Sequence, residues 1–144
     1  GRTNVQDVFA AGDVAAFGNA LYGEHFRVEH WTSAVEQGRQ AAKCMLGVQT
    51  PAYSAVPYFW TDQFGCKIQT YGRRSADDDL HVVDGTLAAR DFLALHSSPD
   101  GMLTAVTTCG RPASIRPYRS LLQSGARLEQ ALAIAEAQDL TAKR

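Results

Sequence analysis

The stretch that decides the fold lies at residues 58–71 and reads Tyr-Phe-Trp-Thr-Asp-Gln-Phe-Gly-Cys-Lys-Ile-Gln-Thr-Tyr. Two apolar-rich runs flank Gly65, and runs of this kind on either side of a turn residue indicate two paired strands. Three more strand-like runs follow at 80–84, 89–96 and 102–107, with turn signals rich in Gly, Asp or Pro between them. We therefore expect five strands in an antiparallel meander.

Two helical patterns follow these strands. The second begins at Leu128, after Gly125, and extends to about residue 140. Strands followed by helices are typical of α+β domains, so 49–144 are predicted to form an α+β domain with an antiparallel sheet followed by two helices. The first helical pattern, at 112–124, places four apolar residues on one stripe: Ile115, Tyr118, Leu121 and Leu122.

The first 48 residues have a different organisation. Residues 5–10 predict a short buried strand, and 17–28, which mix Gly and Asn with aromatic residues, predict turns or a hairpin. One strand cannot form a sheet, and the chain begins at Gly1 without a methionine. We therefore expect 1–48 to be the remnant of a domain whose other parts belong to a longer protein.

The composition argues against two classes of partner. The chain has 14 basic and 15 acidic residues and a net charge of −1, so it lacks an overall field that would hold nucleic acid or an anionic membrane. We expect neither as a partner. The longest apolar stretches are also far shorter than the roughly 20 residues that a membrane helix needs.

The three cysteines, Cys44, Cys66 and Cys109, are odd in number and far apart. They form no CxxC motif and predict no disulfide framework, so a reducing, cytoplasmic location is expected. The four histidines likewise lack metal-ligand spacing. We interpret each histidine as an ordinary structural or surface residue and expect no metal site.

The first motif with chemical content is Val8-Phe9-Ala10-Ala11-Gly12-Asp13. Small residues at a strand end let a cofactor lie against the backbone, and an Asp placed there can accept hydrogen bonds from the hydroxyl groups of a sugar or ribitol chain. The same residues also suit a buried strand followed by a turn-forming Gly-Asp pair. These residues alone leave both interpretations open.

The second motif is the start of a helix after Glu29-His30-Trp31-Thr32. Ser33, followed three residues later by Glu36, is typical of a capping box, and Gly47 is expected to end the helix. The free N–H groups and positive dipole end of such a helix can stabilise negative charge on a bound ring. The alternative is a structural helix that Ser33 merely caps.

The third motif is the aromatic run Pro57-Tyr58-Phe59-Trp60 that leads to Thr-Asp-Gln. A strand of this kind can bury one ring and present another to a ligand. An aromatic-rich strand is also typical of an ordinary hydrophobic core. The two interpretations again cannot be separated on these residues alone.

In the order in which they occur, the three motifs resemble the end of the FAD domain and the start of the carboxyl-terminal domain of the ferredoxin reductases that serve bacterial Rieske dioxygenases and cytochromes P450. The resemblance covers essentially the whole chain. It implies an oxidoreductase that passes electrons from NADH or NADPH through FAD to a ferredoxin-type iron–sulfur protein. It also implies that 1–48 are the end of a Rossmann-like FAD-binding domain.

The resemblance assigns roles to individual residues. Asp13 is expected to bind the ribityl chain. Trp31 and the backbone beside it are expected to contact the pyrimidine edge of the flavin, and Trp60 is expected to contact the flavin face or edge. Arg39 matches a position that docks the acidic ferredoxin, with a solvated helix residue as the alternative. The complete set of implied FAD contacts is Asp13, Val14, Trp31, Thr32, Ala34 and Trp60.

The sequence departs from this family pattern in ways that limit its function. It contains no G-x-G-x-x-G fingerprint, and the glycines that hold the FAD and NAD pyrophosphates are expected in preceding domains. The absence of a CxxxxC pair disfavours thiol–disulfide chemistry. We expect the isolated chain to be inactive and to bind no FAD stably. The apolar faces of 1–48 are expected to be disordered, exposed or buried against another copy, in the last case as a homodimer or a domain-swapped pair. The alternative is a stand-alone α+β binding or dimerisation module without catalysis.

Overall fold

The computed structural model describes residues 1–142. These residues form two compact units, one spanning Gly1–Pro57 and one beginning at Tyr58. The predicted fold class, an antiparallel sheet followed by helices, is confirmed in the second unit. None of the helices in the described range has the length and apolarity that crossing a membrane requires.

The first unit combines a short turn, a hairpin and a helix. A 3₁₀ turn at Gly12–Val14 precedes strand β1 (Ala16–Asn19), which pairs antiparallel with β2 (Glu24–Arg27). This pairing confirms the predicted hairpin. Helix α1 (Trp31–Met45) follows, and these elements together carry the candidate site.

The buried strand predicted at residues 5–10 is wrong. The chain instead turns back on itself, with a single bridge between Arg2 and Phe9, and Val5 and Val8 are 57% and 48% exposed. A strand needs a neighbour for its backbone groups, and within residues 1–142 this segment pairs only with the residues just before it: the Thr3 N–H donates to the Val8 carbonyl at 3.0 Å.

The capping box predicted at Ser33 is also wrong. Helix α1 begins two residues earlier, at Trp31, with His30 as the residue before it, and no side chain caps this end. Ser33 lies inside the first turn, where its hydroxyl accepts a hydrogen bond from Gln37 Nε2 at 2.9 Å. The predicted end is confirmed, because Gly47, at a φ of 75°, follows the last helical turn.

The second unit is built on one antiparallel sheet of five strands: β3 (Tyr58–Gln63), β4 (Cys66–Gly72), β5 (Asp79–Thr86), β6 (Asp91–Ser97) and β7 (Leu103–Cys109). Their order in the sheet is β3-β4-β7-β6-β5. The strand predicted at residues 58–63 has the predicted ends, and the other four differ from prediction by one to two residues at most ends.

The predicted meander order is wrong, because β4 pairs with β7 rather than with β5. The reason is burial. Leu95 on β6 and Val106 on β7 are fully buried, which suits inner positions of the sheet, whereas Leu80 and Val82 on β5 are 48% and 40% exposed, which suits an edge. The most apolar strands therefore lie inside the sheet, although they come last in the sequence.

Two helices close the second unit. Helix α2 (Tyr118–Gln123) packs on β4 and β7, and α3 (Leu128–Ala142) packs on β5 and β6. The helix predicted at 112–124 is shorter than expected, because residues 112–117 form turns and Pro117 precedes the helix. The predicted apolar stripe is largely buried, with Tyr118 at 0% exposure.

The expected absence of a disulfide is wrong. Cys66 at the start of β4 and Cys109 at the end of β7 are bonded, with their Cα atoms 6.3 Å apart. They are 43 residues apart in sequence, and only the β4–β7 pairing, in which Ile68 lies opposite Cys109, brings them together. Cys44 is a free thiol.

Candidate functional site

The Gly12–Val14 turn holds Asp13 at the surface of the first unit. Asp13 is exposed and Val14 is 77% exposed, whereas Gly12, which directly precedes them, is buried. Gly12 has a φ of 77°, and a Cβ placed on it would lie 3.4 Å from the Cβ of Ala34. The backbone of this turn therefore passes close to the first turn of α1, and glycine suits both the conformation and the approach.

A buried side chain fixes this approach. The Gly12 N–H donates to Gln37 Oε1 at 3.0 Å, and Gln37 Nε2 donates to the Ser33 hydroxyl at 2.9 Å. The Ser33 hydroxyl lies 3.4 Å from the Tyr53 hydroxyl, which donates to Glu36 Oε2 at 3.0 Å. This continuous set of hydrogen bonds holds the Asp13 turn against the amino-terminal half of α1.

The amino-terminal end of α1 supplies the second part of the site. The Ala34 N–H already donates to the His30 carbonyl at 3.0 Å, so the N–H groups of residues 31–33 precede the first intrahelical bond. Such N–H groups carry the positive end of the helix dipole. Trp31 is 70% exposed at this end, so much of its side chain faces solvent.

The electrostatics place Asp13 near the same helix end. Burial lowers the pKa of His30, the residue before α1, while the nearby carboxylates of Asp13 and Glu29 act to raise it. The histidine is therefore held neutral at pH 7, and it adds no charge of its own. The surface then combines an exposed carboxylate, which accepts hydrogen bonds, with a helix end that favours negative charge.

A cavity of about 670 Å³ opens beside the Gln37 hydrogen bonds. Val14 and Gln37 line it together with Phe17, His25 and Tyr53. Its walls mix ring surfaces with amide and hydroxyl groups, as ligand sites commonly do.

Trp60 lies in the second unit, on the edge strand β3. Its ring stacks on Tyr58 with the centroids 5.6 Å apart, and Tyr58 lies 4.6 Å from the ring of Tyr71. Trp60 is half-buried in this aromatic row, so it combines a packing role with a surface that remains accessible.

Arg39 is exposed on α1, on the side of the helix opposite Gln37. Lys43 is exposed one turn further along the helix. Over residues 1–142, no group of three or more His, Cys, Asp or Glu side chains could hold a metal ion.

Sequence reasoning identified Asp13, Trp31 and Arg39 as candidates, and the structure brings the first two to one surface. It missed Gln37 as a positioning residue, since a polar residue within an apolar helical pattern was the only signal. The Ser33 hydroxyl was interpreted as a cap, whereas its bond to Gln37 makes it part of the same arrangement.

Comparison with known proteins relates this chain to a family. Residues 58–143 match the family model described as Reductase C-terminal. The chain is 34% identical over 125 residues to the ferredoxin–NAD(+) reductase component of the anthranilate 1,2-dioxygenase system of Burkholderia cepacia. That match covers 87% of this chain and 30% of the relative.

Two solved structures are similar in sequence and in fold. The ferredoxin reductase for the CYP199A2 system of Rhodopseudomonas palustris is 30% identical, with a TM-score of 0.73 over 82% of this chain and 28% of that one. The covalent putidaredoxin reductase–putidaredoxin complex is 26% identical, with a TM-score of 0.72 over 89% of this chain and 32% of that one. The chain thus spans about 30% of the length of these relatives.

Proposed function

This chain belongs to the Reductase C-terminal family, and we propose that it is the carboxyl-terminal part of an FAD-dependent reductase that passes electrons from NADH or NADPH to a ferredoxin-type iron–sulfur protein. The observation that carries the proposal is the buried bond between Gly12 and Gln37, which keeps Asp13 and the start of α1 on one surface. The names of the relatives support the reaction.

The residues of this surface fit a flavin. The Asp13 carboxylate can accept hydrogen bonds from ribityl hydroxyl groups. The exposed Val14 beside it offers a contact for the ribityl chain. The N–H groups at the start of α1, at Trp31 and Thr32, suit the negatively polarised edge of the ring. The close approach of Gly12 to Ala34 places the Asp13 turn beside the first turn of the helix.

Bound FAD would supply the chemistry that accepts two electrons from NADH or NADPH and releases them one at a time. The role of this chain is to bind and orient the ring. Its hydrogen-bond acceptor and helix dipole are in place before the ligand arrives, so little reorganisation accompanies binding. Trp60 is proposed as a further flavin contact, and its half-buried ring stacks on Tyr58.

The proposed acceptor is an acidic iron–sulfur protein, and Arg39 is the proposed docking residue. Its exposure on α1 and the putidaredoxin complex of a similar reductase support this assignment. Arg39 is suited to the role because its guanidinium is always charged and can bind a carboxylate through two parallel hydrogen bonds.

The proposal includes a cytoplasmic location. In a reducing compartment the Cys66–Cys109 disulfide would be transient. Protein isolated with its thiols blocked at lysis should therefore have all three cysteines blocked. Blocking of Cys44 alone would contradict this location, because the other two would have been bonded in the cell.

The full-length protein that contains this chain provides the test. After purification its visible absorbance should correspond to one flavin per protein molecule. NADH or NADPH should bleach that absorbance when oxygen is excluded. A colourless full-length protein would contradict the proposal and favour the alternative, a stand-alone α+β binding or dimerisation module.

A further inference from the structure

Three buried polar side chains of the second unit carry an atom without a hydrogen-bond partner among the described side chains and backbone. The atoms are Gln69 Oε1 on β4, Thr108 Oγ1 on β7 and the Tyr118 hydroxyl at the start of α2. Gln69 is 9% exposed, and Thr108 and Tyr118 are both 0% exposed. Burial of a polar atom without a partner is unfavourable and uncommon in native proteins, so these three atoms call for a partner.

The register of the sheet places two of these side chains next to each other. Gln69 and Thr108 lie directly opposite in the β4–β7 pair, so their side chains leave the sheet on the same face with Cβ atoms about 5 Å apart. The Gln69 amide is held on this face, because its Nε2 donates to the Tyr58 hydroxyl. The oxygens of Gln69 and Thr108 are therefore neighbours.

Helix α2 brings the third group to the same face. The helix packs on β4 and β7, and Arg119 lies over the ring of Tyr71, 6.0 Å from its centroid. Tyr71 is two residues from Gln69 on β4 and so shares its face of the sheet. Tyr118, the residue before Arg119, is fully buried. All three side chains therefore lie in the layer between α2 and these two strands.

The Tyr118 hydroxyl keeps its proton in this layer. Burial, together with the charge of Asp84, raises the pKa of Tyr118 to about 12. Asp84 already accepts a hydrogen bond from the Arg111 guanidinium, and it makes no hydrogen bond with Tyr118. The tyrosine is therefore neutral at pH 7, and its hydroxyl can both donate and accept.

The donors and acceptors of the three groups match those of one water molecule. Gln69 Oε1 can only accept, whereas the hydroxyls of Thr108 and Tyr118 can each donate one hydrogen bond and also accept. A water that donates to Gln69 and to one hydroxyl, and accepts from the other, makes about three hydrogen bonds, the usual number for a buried water. The three side chains make no such bonds with one another.

We propose that one buried water binds between Gln69, Thr108 and Tyr118 and joins α2 to the β4–β7 pair. This site is separate from the flavin surface and does not depend on the proposed function. A hydrogen bond to Oε1 fixes the orientation of the Gln69 amide, which leaves Nε2 directed at the Tyr58 hydroxyl. Because Tyr58 stacks on Trp60, the water also supports the aromatic row in which Trp60 lies.

A high-resolution crystal structure of the full-length protein that contains this chain tests the site directly. We expect one ordered water at about 2.6–3.2 Å from each of the three atoms. Direct hydrogen bonds among the three side chains would overturn the proposal. A polar group from another part of the protein in this position, or the absence of density between the three atoms, would overturn it as well.

Two substitutions measure what the water contributes to stability. Thr108→Val and Tyr118→Phe each remove one hydroxyl with little change of shape. A bound water then has fewer partners, so the urea midpoint of the full-length protein should fall by about 0.5 M in each variant. Removal of a hydroxyl that has no partner would instead relieve an unfavourable burial. A midpoint equal to or above that of the parent in either variant would therefore overturn the proposal.

Thr61→Val is the matched control, since Thr61 is a partly exposed threonine of the same sheet. Its midpoint should stay within about 0.2 M of the parent. An equal fall in Thr61→Val and Thr108→Val would overturn the proposal, because the loss would then belong to the exchange of threonine for valine in a strand. If Thr108→Val or Tyr118→Phe does not fold, the crystal structure of the parent decides.

Discussion

The side-chain oxygen of Gln37 accepts a hydrogen bond from the backbone N–H of Gly12 at 3.0 Å, across 25 residues of sequence. Both groups are buried, and Gln37 is only 6% exposed. A buried N–H without an acceptor is costly, so this bond helps to hold the Asp13 turn against α1.

Replacement of Gln37 by alanine should release the turn. Removing the acceptor leaves the Gly12 N–H buried and unpaired, at a cost of about 2 kcal/mol. The Gly12 amide should then exchange with solvent faster, by about 30-fold, in a hydrogen-exchange measurement. Gln49→Ala, at an exposed position of the same unit, should leave this exchange unchanged. Equal exchange in both variants would show that the bond does not hold the turn.

Two glycines of the sheet should respond differently to alanine. Gly65 and Gly72 both have positive φ angles, 74° and 93°, but a Cβ on Gly65 meets nothing within 4 Å, whereas one on Gly72 overlaps the Thr104 carbonyl and lies 2.8 Å from the Cα of Ala105. Gly65→Ala should cost about 1 kcal/mol through backbone strain alone, and Gly72→Ala about 3 kcal/mol.

Urea denaturation of the two glycine variants measures this difference as a shift in midpoint at constant slope. Similar losses for both would contradict the close packing of β4 against β7. The comparison is controlled internally, since both substitutions add the same methyl group at a left-handed backbone conformation.

Stability should depend on pH through His96. The pKa of this histidine is lowered from 6.5 to about 4, chiefly by burial; the charges of Arg74 and His81 also lower it, and Asp78 acts to raise it. Nε2 of the ring also lies 3.0 Å from the Thr107 hydroxyl. The folded protein therefore keeps His96 neutral, while the unfolded chain takes up a proton between these two pKa values.

The sign follows from proton uptake on unfolding. The contribution of His96 to stability is fully present above pH 6.5 and is lost as the pH falls toward about 4, a change of roughly 3 kcal/mol at most. Urea midpoints measured from pH 7 to pH 4 should fall less steeply in His96→Gln than in the parent. His25→Gln, at an exposed position, should follow the parent; identical profiles for all three would contradict a buried neutral His96.

Local sequence patterns predicted the elements better than their arrangement. The strand at residues 58–63 was predicted with its observed ends, because aromatic residues and the turn at Gly65 are local signals. The neighbours of each strand were not predicted, because the pairing of β4 with β7 depends on which strands bury most apolar surface across the whole unit. The Cys66–Cys109 bond was missed for the same reason.

The candidate site shows the same division. The helix after His30 was predicted from its local pattern, although it begins two residues earlier than expected, and the role of Asp13 stays a prediction. The role of Gln37 could not be predicted, because it exists only when the Gly12 turn folds against the helix. Ser33 was misassigned because a serine near a helix start serves equally as a cap or as a partner for a side chain one turn later.

The measurement that tests the central claim most directly is the affinity of the full-length protein for FAD after Asp13→Asn. The substitution keeps the shape of the side chain and removes its charge, so flavin binding should weaken about 30-fold, as expected for the loss of a charge-assisted hydrogen bond. Asp7→Asn is the matched control, since Asp7 is exposed in the same unit and its φ of 59° suits Asn equally well. Weaker binding in Asp13→Asn alone is the predicted result, and equal FAD affinity in the two variants would contradict the assignment of this surface to the flavin.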